Sequence, residues 1–471
     1  MTKKMTEKNK NSREIALYIV NEVLEEKRLS HLVLRETLDN FPPDSAGGLE
    51  KSFITRISQG TIERKITLDY IINLYSKTKT EKMKPFVRGL LRISVYQIVY
   101  MDGVPDSAAC NEAVKLAKKR GFTNLAPFVN GVLRNISRGK DTIIYPDETQ
   151  KPLKAMSVRY SVPEWIIRLL LQENGEDVTK HILESLFRND KGDEMQDGES
   201  LSVRINMSRT TEEEAIRCLR EDNVTVSKTN LASHMLNIRN YGAINQLKAF
   251  RQGMIQVQDI SSALVGQISG VKKGDTIIDM CAAPGGKTVH LADLLNGSGT
   301  VLSGDISESK VKLIQENISR CGFNNVKMCV QDATKIKETY INSADIVLAD
   351  VPCSGLGVLK HKSDIKYRLC ENDIRELANI SQKILKCAVQ YLKNNGILIF
   401  STCTMTKTEN DDIRSWLLEH FDLEPVNITS YLSDAILDIG NNKETAKEGY
   451  LKLFISKEYD GFYMAKFIKR G

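Results

Sequence analysis

Apolar residues recur every three to four positions through most of the first 138 residues. Within residues 13–24, Ile15, Ala16, Ile19, Val20, Val23 and Leu24 fall on one face of a helix. The spacing returns in 49–75, 85–102, 108–120 and 125–137, with no strand-like alternation between, so residues 1–140 read as an all-α domain. Pro42-Pro43 and Gly47-Gly48 part the first helices from the third. Residues 139–157, with Pro146 and Pro152, read as a polar linker.

Beyond the linker the period changes. Residues 163–172 and 176–188 look helical, and 191–200 (KGDEMQDGES) is a polar loop. A strand-like run at 201–206, a helical one at 210–222 and another strand at 224–228 follow. We read 158–252 as a small α/β module. Its helix should start at Thr210 or Thr211, each followed by Glu.

From 253 to 471, short β-branched runs alternate with helical stretches. The runs are 275–281, 300–306, 326–332, 343–350 and 396–402, and 463–468 closes the series. The fold class is therefore α/β: a mostly parallel sheet with helices on both faces. Open sheets of this kind bind ligands beyond the carboxyl ends of their strands, where this chain places a glycine or proline turn at most exits.

Composition narrows the reading. Hydrophobic residues make up 41% of 471, enough to bury real cores. No run of about 18 apolar residues occurs, so no membrane span is expected. The opening MTKKMTEKNK is polar and basic, unlike a secretory signal. Nine cysteines without a Cys-x-x-Cys pair argue against a zinc ribbon, and no metal is expected. Free thiols suit a reducing cytoplasm. Residues 1–150 hold 25 Lys and Arg against 18 Asp and Glu, a charge of +7, which leaves −1 for the remainder of a chain whose net charge is +6. A basic region attracts phosphate backbones, although solvated helix faces carry charge of the same kind.

The chemistry concentrates at the strand ends. Asp279-Met280-Cys281-Ala282-Ala283-Pro284-Gly285-Gly286-Lys287-Thr288 takes a strand through a glycine turn into a helix beginning near Thr288. Glycines let backbone amides approach a ligand, and the helix N-terminus offers unpaired amides and positive potential. The spacing is not that of a P-loop. The next strand ends in Asp305 and the third in Asp332. Either acid alone could cap a helix, but two on successive strand ends favour a nucleoside-bearing cofactor. The fourth strand runs out through Asp350-Val351-Pro352-Cys353 and the fifth through Ser401-Thr402-Cys403-Thr404. A single cysteine is usually a small buried hydrophobe, the reading we give Cys110, Cys218, Cys321, Cys329, Cys370 and Cys387. Two at the rim of one site suggest covalent catalysis.

These five motifs, in this order across residues 160–471, resemble the RNA cytosine-5 methyltransferases of Rossmann-like fold. Tyr96-Gln97-Ile98 and Phe128-Val129-Asn130-Gly131-Val132-Leu133-Arg134 resemble the NusB-like RNA-binding domain. The pairing resembles methyltransferases of small-subunit (16S) ribosomal RNA. It implies an all-α NusB-like domain, a small α/β module and a Rossmann-like methyltransferase domain that uses S-adenosyl-methionine. The implied partner is 16S ribosomal RNA, naked or in a partly assembled subunit. By this resemblance Cys281, Ala282, Ala283, Pro284, Gly285, Gly286 and Lys287 cradle the methionine part of the cofactor. Asp305 takes the ribose hydroxyls and Asp332 the adenine amino group. Asp350 lies between cofactor and base and orients the cytosine; with Lys287 it joins the catalytic set. In the family's basic segment after the fourth strand, Lys360-His361-Lys362-Ser363-Asp364-Ile365, Ser363 stands where proline is usual.

Carbon 5 of cytosine is a poor nucleophile. A thiolate added to carbon 6 makes an enamine that can take a methyl group at carbon 5, whose proton must leave before the thiolate departs. One nucleophile and one base are needed. By resemblance to the RNA enzymes, Cys403 attacks and Cys353 assists release; DNA enzymes use the Pro-Cys thiol for attack. A base inside a helix is out of reach, so the target is unpaired or flipped out. A non-catalytic RNA-binding scaffold would leave both thiols and the acids unexplained, and a DNA enzyme would leave the Thr-Cys motif unexplained. The same chemistry on transfer RNA or large-subunit (23S) RNA differs only in substrate.

Overall fold

The computed structural model describes residues 11–39, 47–187 and 200–471. Pro42-Pro43 and residues 191–199 of the polar loop lie outside these. The chain forms two compact units. One is Met1–Asp190 with Leu359–Leu369; the other is Lys191–Val358 with Cys370–Gly471.

The first unit is helical. Its described helices are Ser12–Leu24, Ser30–Asp39, Gly47–Glu63, Lys65–Tyr75, Pro85–Tyr100, Asp106–Lys119, Ala126–Gly139, Pro152–Tyr160 and Glu164–Ser185. The periodic positions become its core: Ile19, Val20, Ile57, Leu68, Leu90 and Leu133 are all fully buried. Asn11 caps the first helix by accepting from the Arg13 amide. Buried Arg92 is held by Asp69 at 2.7 and 2.8 Å and by Glu25 at 3.2 Å, which meets the need of an interior guanidinium for partners.

Two boundaries differ from the sequence reading. The linker ends at residue 151, because Pro152 sits in the first turn of a helix, where its missing N–H costs nothing. The 158–252 module is not one body, since residues 158–187 lie with the helical unit. The positive φ of Gly175 divides Glu164–Ser185 into the two expected helical stretches. The segment 359–369, which contains the whole basic run Lys360–Ile365, also belongs to this unit. Buried Lys366 and half-buried Tyr367 both donate to the Glu63 carbonyl at 2.9 Å, and Asp364 accepts from Ser30 Oγ.

The second unit holds two sheets. In the smaller, β1 (Leu201–Ile205), β2 (Thr225–Lys228), β3 (Met235–Arg239) and β4 (Ile255–Val257) run antiparallel in the order β2-β3-β1-β4. β3 and β4 go beyond the sequence reading, and β4 lies past residue 252. The intervening helix Glu212–Glu221 starts where Thr211 accepts from the Glu214 amide.

The larger sheet contains β5 (Thr276–Asp279), β6 (Thr300–Asp305), β7 (Val326–Val330), β8 (Ala344–Asp350), β9 (Leu392–Thr402), β10 (Leu423–Pro425), β11 (Tyr450–Leu453) and β12 (Phe462–Lys469). Their order is β10-β12-β9-β8-β5-β6-β7, with β11 also on β12. The five strands from β9 to β7 are parallel, whereas β10, β11 and β12 pair antiparallel. Ile277, Val301, Leu348 and Ile399 enter one apolar cluster and Ile278, Val347, Leu398 and Phe400 another. Burial on both faces explains why these strands read as continuous apolar runs. β10 and β11 are too short to leave a periodic signal.

All nine cysteines are free. Cys110, Cys218, Cys321 and Cys387 are buried, but Cys329 is half-buried and Cys370 is exposed, which corrects its reading as a core residue. Cys370 precedes the helix Glu371–Tyr391, and its amide donates to Asp373 at 2.8 Å. Among the described residues no helix is long and apolar enough to cross a membrane, and no cluster of three or more His, Cys, Asp and Glu is arranged to hold a metal ion.

Candidate active site

Parallel pairing brings the carboxyl ends of β6, β5, β8 and β9 to one edge. The glycine turn follows β5 and enters the helix Gly286–Leu295, two residues before the expected start. Gly285 has φ +106, and a Cβ there would press on the Ile314 backbone at 3.2 Å, so this position needs glycine. A Cβ at Gly286 would meet nothing within 4 Å, which leaves open space against the helix N-terminus.

The acids around this turn behave differently from one another. Asp279 is 1% exposed; one oxygen accepts from Thr288 Oγ1 at 2.6 Å and the other has no partner. Burial pushes its pKa up to about 7, with Thr288 pulling down and Asp350 adding to the rise. Asp305 is buried and accepts from the Ala283 amide at 3.0 Å, the Ile306 amide at 2.7 Å and Lys310 at 3.0 Å. A carboxylate has about four acceptor sites, so one remains. Asp332 makes a local turn, accepting from the Thr334 amide at 3.1 Å and its hydroxyl at 2.6 Å, bonds that hold its pKa below the ordinary value. Burial, chiefly, pushes the Cys281 thiol up, so this cysteine is a neutral wall of the turn.

Lys287 and Asp350 meet at 2.8 Å. Burial works against the Lys287 ammonium, but Asp350 outweighs it and Lys287 is held above its ordinary pKa. The other Asp350 oxygen accepts from Ser401 Oγ at 2.7 Å, a tie from β8 to β9. Beyond those strands, Cys353 Sγ and Cys403 Sγ lie 3.3 Å apart. The Cys353 thiol is raised well above its ordinary pKa, first by its hydrogen bond with Cys403, then by burial and by the charges of Cys403 and Glu409. The Gly357 amide donates to the Cys403 carbonyl at 3.0 Å, and Gly461 packs too closely on Gly357 to admit a Cβ.

Several residues here escaped sequence reasoning. Ser401 and Glu409 touch the site through partners far along the chain, and Asn410 through near ones. Asn410 accepts from Thr402 Oγ1 at 2.6 Å and donates to the Thr404 carbonyl at 3.0 Å. The only signal was an acid and an amide soon after the Thr-Cys pair, which reads equally well as a helix start.

The arrangement fits S-adenosyl-methionine. Its carboxylate suits the open helix N-terminus, its ammonium the unpartnered Asp279 oxygen and its ribose the remaining acceptor of Asp305.

Residues 268–468 match the family described as 16S rRNA methyltransferase RsmB/F, and residues 10–138 match the NusB family. The chain is 32% identical over 470 residues to the probable ribosomal RNA small subunit methyltransferase B of Bacillus subtilis (strain 168), a match covering 98% of this chain and all of that protein. It is 26% identical over 468 residues to ribosomal RNA small subunit methyltransferase B of Escherichia coli O1:K1 / APEC, with the same coverage. Among solved structures, the crystal structure of PH0851 is 25% identical, with a TM-score of 0.79 over 98% of this chain and all of that one. With this identity sustained along nearly its full length, the chain belongs to the ribosomal RNA small subunit methyltransferase B family.

Proposed function

We propose that this chain methylates carbon 5 of one cytosine in small-subunit (16S) ribosomal RNA, with Cys403 as the nucleophile. The observation that carries the proposal is the pair of thiols 3.3 Å apart, on the strand ends beside the glycine turn. S-adenosyl-methionine, when bound, supplies an electrophilic methyl group. The rest falls to side chains of this chain. Cys353 holds its proton and can give a hydrogen bond to the Cys403 sulfur, while the Lys287 ammonium interacts electrostatically with Cys403. Both favour a thiolate at Cys403. That thiolate adds to carbon 6 of the cytosine, and the electron pair passes to carbon 5. Asp350, anchored by Lys287 and Ser401, orients the base by accepting from its amino edge, and the Lys287 ammonium beside it offsets the negative charge developing on the ring. After carbon 5 is methylated, its proton leaves through Cys353, which passes its own proton to water as it accepts the one from carbon 5; the ring double bond re-forms and the Cys403 thiolate leaves.

The helical unit is the RNA-docking part in this reading, supported by its NusB-family match and the +7 charge of residues 1–150. Exchanging exposed Lys118, Arg134 and Arg138 for glutamate should make RNA binding less sensitive to salt. The slope of log affinity against log salt should fall by roughly one for each phosphate no longer neutralised. Bisulfite sequencing of ribosomal and transfer RNA from a deletion strain tests the whole. One 16S cytosine should lose its methyl mark and regain it when the wild-type chain, but not Cys403→Ala, is returned. A mark lost instead from transfer RNA or 23S RNA would move the substrate and keep the chemistry; no loss anywhere would defeat the proposal.

A further inference from the structure

The two thiols sit on loops leaving different strands, and one buried carboxylate ties those loops together. Glu409 is 1% exposed. Its Oε1 accepts from the Ser354 amide at 2.6 Å, and its Oε2 accepts from Ser354 Oγ at 2.6 Å and Thr406 Oγ1 at 2.7 Å. Thr404 Oγ1 lies 3.3 Å from the same oxygen and 2.7 Å from Ser354 Oγ. Ser354 follows Cys353 and Thr404 follows Cys403, so one side chain grips the neighbour of each thiol. Its partners are hydroxyls and one amide, not a cation. A carboxylate in such a place is expensive, and a well-packed apolar residue could fill the volume at lower cost.

We propose that Glu409 is the positioning residue of the thiol pair: it holds Cys353 and Cys403 in contact and, by placing its charge on the Cys353 side, keeps the two sulfurs unequal. The inference rests on the two-thiol reading above. Two strand ends alone leave the loops that carry the sulfurs free to shift, whereas the hydrogen bonds of Ser354 and Thr404 to one rigid group remove much of that freedom. The charge acts in the needed direction, since a carboxylate near Cys353 disfavours its ionisation. Burial raises the pKa of Glu409 itself, and its hydrogen-bond donors oppose that rise.

The test compares full-length wild type with Glu409→Gln, Glu409→Ala and Ser354→Ala. Methylation of a 16S RNA transcript is followed, together with iodoacetamide labelling of each thiol mapped by mass spectrometry. Glu409→Gln and Glu409→Ala should lower kcat by about tenfold or more, with KM and cofactor affinity within about twofold. Near neutral pH the wild type should label at Cys403 in preference to Cys353. Glu409→Gln should weaken that preference while melting at an unchanged temperature. Ser354→Ala removes a tie but keeps the charge, so it should lose kcat and retain the preference. Glu409→Gln with wild-type kcat and labelling would overturn the inference. So would loss of activity only in step with lost cofactor binding and a lowered Tm, the behaviour of a merely structural residue. Wild-type protein that labels first at Cys353 would instead defeat the assignment of Cys403 as nucleophile, an outcome separable from either.

Discussion

The rim beyond β5 and β6 and the rim beyond β8 and β9 share one edge of one sheet but are held in different ways. In the first, the ties are short along the chain: Thr288 to Asp279 spans nine residues and Ala283 to Asp305 spans 22. In the second, Cys353 meets Cys403 across 50 residues, Asp350 meets Ser401 across 51 and Ser354 meets Glu409 across 55. A cradle for an amino acid or nucleoside needs backbone amides, a helix N-terminus and an acid, which one βαβ unit can supply. A nucleophile and its partner thiol need two strands made neighbours by the sheet, with separate ties to fix their distance. The cofactor rim is therefore a local structure and the cysteine rim a tertiary one.

The sharpest way to break this division is at the cysteine rim. Cys403→Ala should bind RNA and S-adenosyl-methionine normally and lower turnover by about 10³-fold or more, since no adduct can form. Cofactor affinity by calorimetry and turnover by methyl incorporation check the two halves of that statement. Loss of cofactor binding in this variant would show that the rims are not separable.

Cys353→Ala should have the next largest effect and a different character. In the proposed mechanism the variant should attack and methylate the base but then stall, so a protein–RNA complex resistant to denaturing electrophoresis should accumulate. It should vanish in the Cys353→Ala, Cys403→Ala double variant. A stable complex with Cys403→Ala instead would reverse the roles of the thiols, and full turnover in both single variants would make both structural.

The same contrast decides what the sequence made legible. The parallel strands, the glycine turn with its flexible Gly285, and the strand-end positions of Asp305, Asp350, Cys353 and Cys403 could all be read, because each depends on periodicity or on neighbours within a few residues. β3, β4, β10 and β11 could not; they are short strands given meaning by their partners. Nor could Glu409 and Ser401, whose partners were unknown until β8 and β9 were paired. The passage of residues 359–369 into the helical unit was equally hidden, because Lys366 and Tyr367 look like ordinary loop residues until the Glu63 carbonyl is seen to receive them.

At the cofactor rim the effects should be smaller and confined to binding. Asp305→Ala removes the partner of the Ala283 amide and the acceptor we propose for the ribose. It should weaken S-adenosyl-methionine by roughly 10- to 150-fold, the equivalent of about 1.5–3 kcal/mol for hydrogen bonds to a charged group. Calorimetry on Asp305→Ala and Asp305→Asn measures this. An unchanged affinity would mean that Asp305 serves the turn alone, and the nucleoside would need another acceptor.

The last effect concerns Asp279, beneath the turn, and is read in stability rather than in binding or turnover. Its folded pKa of about 7 lies above the ordinary 3.8, so between those values the native state keeps a proton that the unfolded chain has lost. The contribution of this group is therefore greatest below about pH 4, falls as pH rises towards 7 and is level above it. Asp279→Asn cannot ionise and should lack that decline. The Tm difference, variant minus wild type, should grow as pH rises from 4 to 7 and then stay constant. Saturating S-adenosyl-methionine should shrink the wild-type decline and leave Asp279→Asn unaffected, because a ligand ammonium beside the unpartnered oxygen favours the carboxylate. If the cofactor leaves the wild-type slope unchanged, that oxygen does not face the ligand, and the turn owes its charge preference to the helix N-terminus alone.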